Sequence, residues 1–206
     1  VSPEQALKLL KDGNERFIEG KMIHNDSSEL RRESVVDAQK SHTIVLSCSD
    51  SRVPPEIVFD QGLGDLFVVR VAGNILDDAT AASIEYAVEN LGTRLIVVMG
   101  HDSCGAVKAA LSASCTAHAE SPDLDHLIST IQRSVGCKAE AQMNLEKLIE
   151  SDPLLRKPVM KNAQFVAQHL VKRSQIVKKY VDSGRLLIIP AIYSLKSGII
   201  SFGMVP

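Results

Sequence analysis

Three short apolar runs constrain this chain most: Thr43-Ile44-Val45-Leu46-Ser47, Leu66-Phe67-Val68-Val69-Arg70-Val71 and Arg94-Leu95-Ile96-Val97-Val98-Met99. Each is rich in β-branched residues and reads as a buried strand. Between the second and third, residues 79–91 have helical spacing and stop before Gly92. Strands separated by helices pair in parallel through crossover connections. Two further strands are read at 185–191 and 199–204, joined through a turn at Lys196-Ser197-Gly198. The expected fold is α/β, with a mostly parallel central sheet of about five strands flanked by helices.

The helical segments can be placed in the same way. Ser2-Pro3-Glu4-Gln5 is a helix start, with Ser at the N-cap, Pro at the first helical position and Gln placed to close a capping box. Leu7, Leu10, Asn14 and Phe17 follow at helical spacing; Gly13 weakens the interior and Gly20 is a stop. A more polar helix is expected over 29–39, with Leu30, Val35 and Val36 on its apolar face. A helix continues from Gly105, and 122–150 and 154–182 read as mostly helical, broken at Ser151-Asp152-Pro153. With no repeat, low-complexity tract or linker, residues 1–206 read as one domain, long enough for a full core.

Composition removes several classes of function. Hydrophobic residues make up 45% of the chain, yet no apolar run reaches the length of a membrane span. A net charge of −2 gives no basic surface for nucleic acid, and an aromatic content of 4% without Trp leaves little stacking area. Of the four cysteines, Cys48 and Cys104 are best used as metal ligands. Cys115 and Cys137 fall in expected helices and read as free thiols; a disulfide between them is the alternative, and implies an oxidising compartment. The chain begins at Val1, which reads as a trimmed start. Localisation is thus open between the cytoplasm and, with a signal peptide removed, the periplasm.

The chemistry gathers at strand ends, where open α/β sheets bind ligands. Cys48 ends the first run, and His101 follows the third. Neighbouring strands lie about 4.8 Å apart, so one ion reaches both ends if these strands are adjacent. Cys104 lies three residues past His101, at the expected N-terminus of the next helix, where the unpaired N–H groups favour a thiolate. Two thiolates and an imidazole are the ligand set of a catalytic zinc with a fourth position open. Asp50 and Arg52 stand two and four residues past Cys48, an ion pair that a structural zinc does not need. His24, His42, His118, His126 and His169 lack such a setting and read as core or surface residues.

Cys48-Ser49-Asp50-Ser51-Arg52, followed by Gly100-His101-Asp102-Ser103-Cys104-Gly105, resembles the β-class carbonic anhydrases. The likeness runs through most of the chain and is densest over 39–107, where Val69-Arg70-Val71-Ala72-Gly73-Asn74 and Ile84-Glu85-Tyr86 also match. The resemblance implies one zinc per subunit, held by Cys48, His101 and Cys104, with Asp50 as a fourth ligand in a closed state. It implies Asp50 and Arg52 as a catalytic dyad. It places Gln39, Phe67 and Tyr86 in the carbon dioxide pocket, partly across a subunit boundary. Gly105 belongs to the substrate site too, and Gly73 and Gly105 are expected to supply backbone freedom. A homodimer or dimer of dimers, with N-terminal helices extending over the partner, is implied as well. Ser194 departs from the family, which often has Asp after the Tyr, and no catalytic consequence is expected.

The implied reaction is the reversible hydration of carbon dioxide to bicarbonate and a proton, with zinc-bound hydroxide as nucleophile. Arg52 either holds Asp50 off the metal or releases it to close the site. No residue stands out as a proton shuttle. The regulatory bicarbonate pocket of some members uses a Trp, which this chain lacks. Two rivals share the ligands: a carbon disulfide or carbonyl sulfide hydrolase on the same fold, and a non-catalytic zinc or thiol protein.

Overall fold

A computed structural model describes residues 1–23, 28–116, 119–137 and 152–203. Five strands form one sheet, β1 (Thr43–Ser47), β2 (Leu66–Arg70), β3 (Leu95–His101), β4 (Leu187–Tyr193) and β5 (Ile200–Phe202), in the order β2-β1-β3-β4-β5. All neighbours pair in parallel except β4 with β5. The expected α/β architecture is thus present, with the antiparallel strand confined to one edge.

Every residue of β1 and β3 is buried, because helices cover both faces of the sheet. Alternate side chains serve opposite faces. Ile44 and Leu46 join Ile96 and Val98 under helices α4 (Asp78–Asn90), α7 (Asp152–Arg173) and α8 (Gln175–Asp182), where Ile84, Leu170 and Val177 are buried. Val45 joins Val97 and Met99 on the other face, against Leu10 of α1 (Pro3–Glu19) and Val58 of the short α3 (Pro55–Val58). A third cluster at the carboxyl ends of the strands holds Cys48 and Cys104 with Ile75, Ile131 and Val159. No helix among the described residues is long and apolar enough to cross a membrane.

α1 starts at the expected capping box: Ser2 Oγ accepts from the Gln5 N–H, and Gln5 Oε1 accepts from the Ser2 N–H. Its end is Gly20 at φ 68. Buried Asn14 ties the helix to the sheet, donating to the carbonyls of Val58 (2.9 Å) and Gly198 (2.8 Å) and accepting from the Ile200 N–H (2.9 Å). Gly13 does more than weaken the helix. A Cβ there would lie 1.8 Å from the Phe59 carbonyl oxygen, so the close approach of α1 to α3 requires glycine.

Several boundaries differ from expectation. The helix expected over 29–39 is only α2 (Glu29–Ser34); it ends at Val35, and Ser34 Oγ turns back to the Arg31 carbonyl. β4 begins two residues later than read, because the N–H groups of Arg185 and Leu186 close the last turn of α8 on the Tyr180 carbonyl. α6 (Pro122–Val135) is shorter than expected, and residues 138–151 lie outside the described residues. Asp152 and Pro153 open α7 rather than break it, since Pro is tolerated in a first turn. The break falls instead at Ser174, whose hydroxyl caps α8 through the Val177 N–H.

Cys115 and Cys137 are not free thiols in helices. They form a disulfide between the segments that follow α5 (Gly105–Ser112) and α6. Both lie just past their helix ends, which is why helical spacing misplaced them. A cross-link over a separation of 22 residues stabilises by about 3 kcal/mol through the unfolded chain.

Gly13→Ala should destabilise the fold by about 3 kcal/mol, the cost of displacing packed backbone. Urea unfolding checks this, and an unchanged midpoint would show that α1 and α3 do not need their contact.

Candidate metal centre

β1 and β3 are adjacent and parallel, with Ser47 opposite Met99. Cys48 therefore leaves the sheet beside Gly100, and His101 is the last residue of β3 rather than the first beyond it. Ser103, at φ 54, turns the chain sharply, so that Cys104 caps the N-terminus of α5. One donor atom from each of Cys48, His101 and Cys104 lies within 4.8 Å of the other two. All three residues are buried.

The surroundings prepare each ligand. His101 Nδ1 lies 2.8 Å from the Asp102 carbonyl oxygen, so that nitrogen carries the proton and donates it. Nε2 is then left buried and without a hydrogen-bond partner, a lone pair suited to a metal. Asp102 is itself fixed: its N–H reaches the Tyr193 carbonyl and its carboxylate accepts the Leu195 N–H. Cys48 Sγ accepts the Gly73 N–H at 3.3 Å. The Cys104 side chain also donates to Cys48, and this contact, with the Gly73 and Asp50 N–H groups, holds the Cys48 thiol well below its usual range. Cys104 is pushed up by the same contact and by burial, against the pull of the Val107 and Ala106 N–H groups at the start of α5. Two sulfurs beside a buried imidazole nitrogen that has no hydrogen-bond partner are a donor set that fits a divalent cation.

Asp50 and Arg52 form the expected pair. Oδ1 accepts from the Arg52 backbone N–H (2.9 Å) and from Nε (3.0 Å), while Oδ2 accepts from a terminal guanidinium nitrogen (2.8 Å). Arg52 holds the Asp50 carboxyl well below the usual carboxylate range. Oδ2 lies 3.8 Å from His101 Nε2, so the carboxylate faces the ligand set. Arg70, which the sequence offered only as part of a motif, pins the loop by donating to the carbonyls of Cys48 (3.0 Å) and Asp50 (2.6 Å).

The remaining site residues are dispersed. Phe67 lies on edge strand β2 and packs against Tyr86 of α4 at 6.4 Å between ring centroids. Tyr86 is 51% exposed, and Gln39 is exposed in the link before β1. Gly73 has the expected left-handed backbone at φ 66. Gly105 does not: it opens α5, and an added Cβ would meet nothing within 4 Å.

Comparison with known proteins agrees with this geometry. Residues 43–200 match the family model described as carbonic anhydrase. The carbonic anhydrase of Mycolicibacterium smegmatis is 40% identical over 197 residues, 96% of this chain and 91% of that protein. The solved β-carbonic anhydrase of Coccomyxa in complex with acetazolamide is 26% identical, with a TM-score of 0.69 over 84% of this chain and 77% of that one. A tetrameric β-carbonic anhydrase of Sordaria macrospora shares the fold at 22% identity and a TM-score of 0.68, over 82% of this chain and 84% of that one.

This chain belongs to the β-class carbonic anhydrases. Zinc is the metal of that class, and the Cys-His-Cys donor set built here is one that zinc takes.

His101→Ala should lower zinc content from about one per chain to below about one-tenth, since two thiolates alone leave the site two donors short of a tetrahedron. Elemental analysis after dialysis measures this, with circular dichroism to confirm that the variant is folded. Retention of a full zinc equivalent would remove His101 from the ligand set.

Proposed function

We propose that this site hydrates carbon dioxide reversibly, with Asp50 and Arg52 controlling the nucleophilic oxygen. The carrying observation is the Asp50–Arg52 pair, aimed at a buried, unpartnered His101 nitrogen flanked by two cysteines. Zinc supplies a Lewis acid that acidifies water, more weakly here than in a three-histidine site because two thiolates cancel its formal charge.

The chain's own groups do the rest. Ionised Asp50 is a pure acceptor, so it selects an oxygen that still carries a proton, water or hydroxide, over an unprotonated anion. It also fixes the orientation of that oxygen's lone pairs toward the carbon of carbon dioxide. Attack forms one C–O bond and opens one C=O π bond, giving bicarbonate. The proton lost when water becomes hydroxide leaves to buffer. Arg52 keeps the carboxylate in its acceptor role; without Arg52, Asp50 is free to swing onto the ligand set and close it.

Residues 1–206 work in this reading as one catalytic unit. Gln39, Phe67, Tyr86 and Gly105 form the substrate pocket, shared with a second copy of the chain. The exposed Tyr86 beside the β2 edge supports that reading, because an uncovered apolar edge strand favours association. Self-association is as a homodimer or a dimer of dimers, with the N-terminal helices α1 and α2 reaching over the partner; the exposed Leu30 of α2 and Val36 just past its end support this reading.

Arg52→Ala should lower kcat by about 100-fold, the scale of losing one organising contact to a developing charge, while zinc content stays unchanged. Stopped-flow hydration with elemental analysis tests this, and near-normal turnover would refute the pairing.

The pH dependence has a definite sign. Because Arg52 depresses the Asp50 carboxyl, the pair is intact above the ordinary carboxylate value of about 3.9 and is lost only as pH falls through the lower folded value. Asp50 therefore contributes no inflection near neutrality. Any rise belongs to the water, and kcat should climb between about pH 6 and pH 9. A flat profile over that range would contradict the weaker acidification expected from two thiolates.

A further inference from the structure

A cleft of about 550 Å³ lies between the start of α4 and the facing sides of α6 and α7. Its floor is apolar, with Ile75, Leu76 and Val166 buried and Phe165 beside them. Its rim carries Arg133 and His126 from α6 and His169 and Arg173 from α7. The two lining carboxylates are already engaged: Asp77 caps α4 through the Thr80 N–H, and Asp78 pairs with Arg173. Arg133 donates to the Thr130 hydroxyl and, among the described residues, meets no carboxylate. His169 stacks on Phe165 at 5.7 Å and 13°. Its imidazolium is disfavoured by partial burial and then by Arg173, Arg133 and Lys172.

The cleft is also wired to the metal site. Ser134, next to Arg133 on α6, donates to the buried Asn162 side chain at 2.6 Å. Asn162 donates to the Gly73 carbonyl at 2.8 Å, and the Gly73 N–H reaches Cys48 Sγ at 3.3 Å. A ligand held by Arg133 therefore sits one residue from this chain of contacts.

We propose that this cleft is an effector site for a small aromatic carboxylate, whose binding alters how firmly Cys48 is held. Arg133 takes the carboxylate, and a planar body lies on the apolar floor beside Phe165. A guanidinium that meets no carboxylate among the described residues, over a hydrophobic floor, recognises that combination better than an inorganic anion, which leaves the floor uncovered, or a neutral aromatic, which gives Arg133 no counter-charge.

The test uses the zinc-loaded protein saturated with acetazolamide, which covers the metal centre, and benzoate as probe. Isothermal titration should show one benzoate per chain. Arg133→Gln should weaken it by about tenfold, the value of a charged hydrogen bond, and Arg133→Lys should restore part of the loss. In the protein without acetazolamide, saturating benzoate should change the rate of zinc transfer to a chelator by about fivefold, and not in Arg133→Gln. Neither readout depends on carbon dioxide hydration, so failure here is separable from failure of the catalytic reading. Loss of benzoate binding under acetazolamide, equal affinity in Arg133→Gln, or an unchanged zinc-transfer rate would each overturn the proposal.

Discussion

The parallel pairing of β1 with β3 is the constraint on which the site depends. Two parallel neighbours end on the same side of the sheet, so Cys48 and His101, remote in sequence, emerge beside one another. An antiparallel pairing would send them to opposite ends. The crossover that parallel strands require brings β2 and α4 with it, and therefore the Gly73 turn that reaches Cys48. Full burial of both strands fixes the register, since a one-residue slip would exchange the two core faces. Core packing on both faces of the sheet thus sets the positions of two of the three ligands.

The third constraint on Cys48 comes from close approach. Gly73 lies under Ile131: a Cβ there would stand 2.6 Å from Ile131 Cδ1. Its backbone is left-handed as well, so glycine is required twice at one residue. The peptide groups around it are held from both directions, the Gly73 N–H on the sulfur and the Gly73 carbonyl on buried Asn162. Asn162 comes from α7, far along the chain, so the last helix layer must be in place before the ligand shell is rigid. A thiolate fixed in this way has little freedom to reorganise around a different ion.

What was legible in the sequence follows from the range of each interaction. β1, the ligand triad and the Asp50–Arg52 pair rest on local pattern: apolar runs, a three-residue spacing and a two-residue spacing. The capping box at Ser2 was readable for the same reason. Features that depend on distant partners were not. Gly13 looks like a weak point in a helix until Phe59 is seen against it. Asn162 is one amide among many in a long polar-apolar helix, and nothing local marks it as the partner of Gly73. The cysteines at 115 and 137 misled because each follows a real helix by a few residues, and spacing defines a helix's face better than its end. Ser174 could have been found, because Ser ahead of an apolar periodic run is an N-cap signal.

The Asp50 carboxylate is held asymmetrically, and this decides which oxygen can act. Oδ1 takes two donors from Arg52, one of them backbone, and is therefore spent on fixing the loop. Oδ2 takes a single donor from a guanidinium that is 55% exposed, and it is the oxygen that faces His101. Arg70 meanwhile anchors the surrounding backbone through two carbonyls, so movement of Asp50 need not involve the main chain. Releasing the carboxylate costs two hydrogen bonds to the exposed guanidinium, which solvent screens, and one to a backbone N–H. An exposed guanidinium is also screened by salt, so the hold of Arg52 on Oδ2 weakens as ionic strength rises.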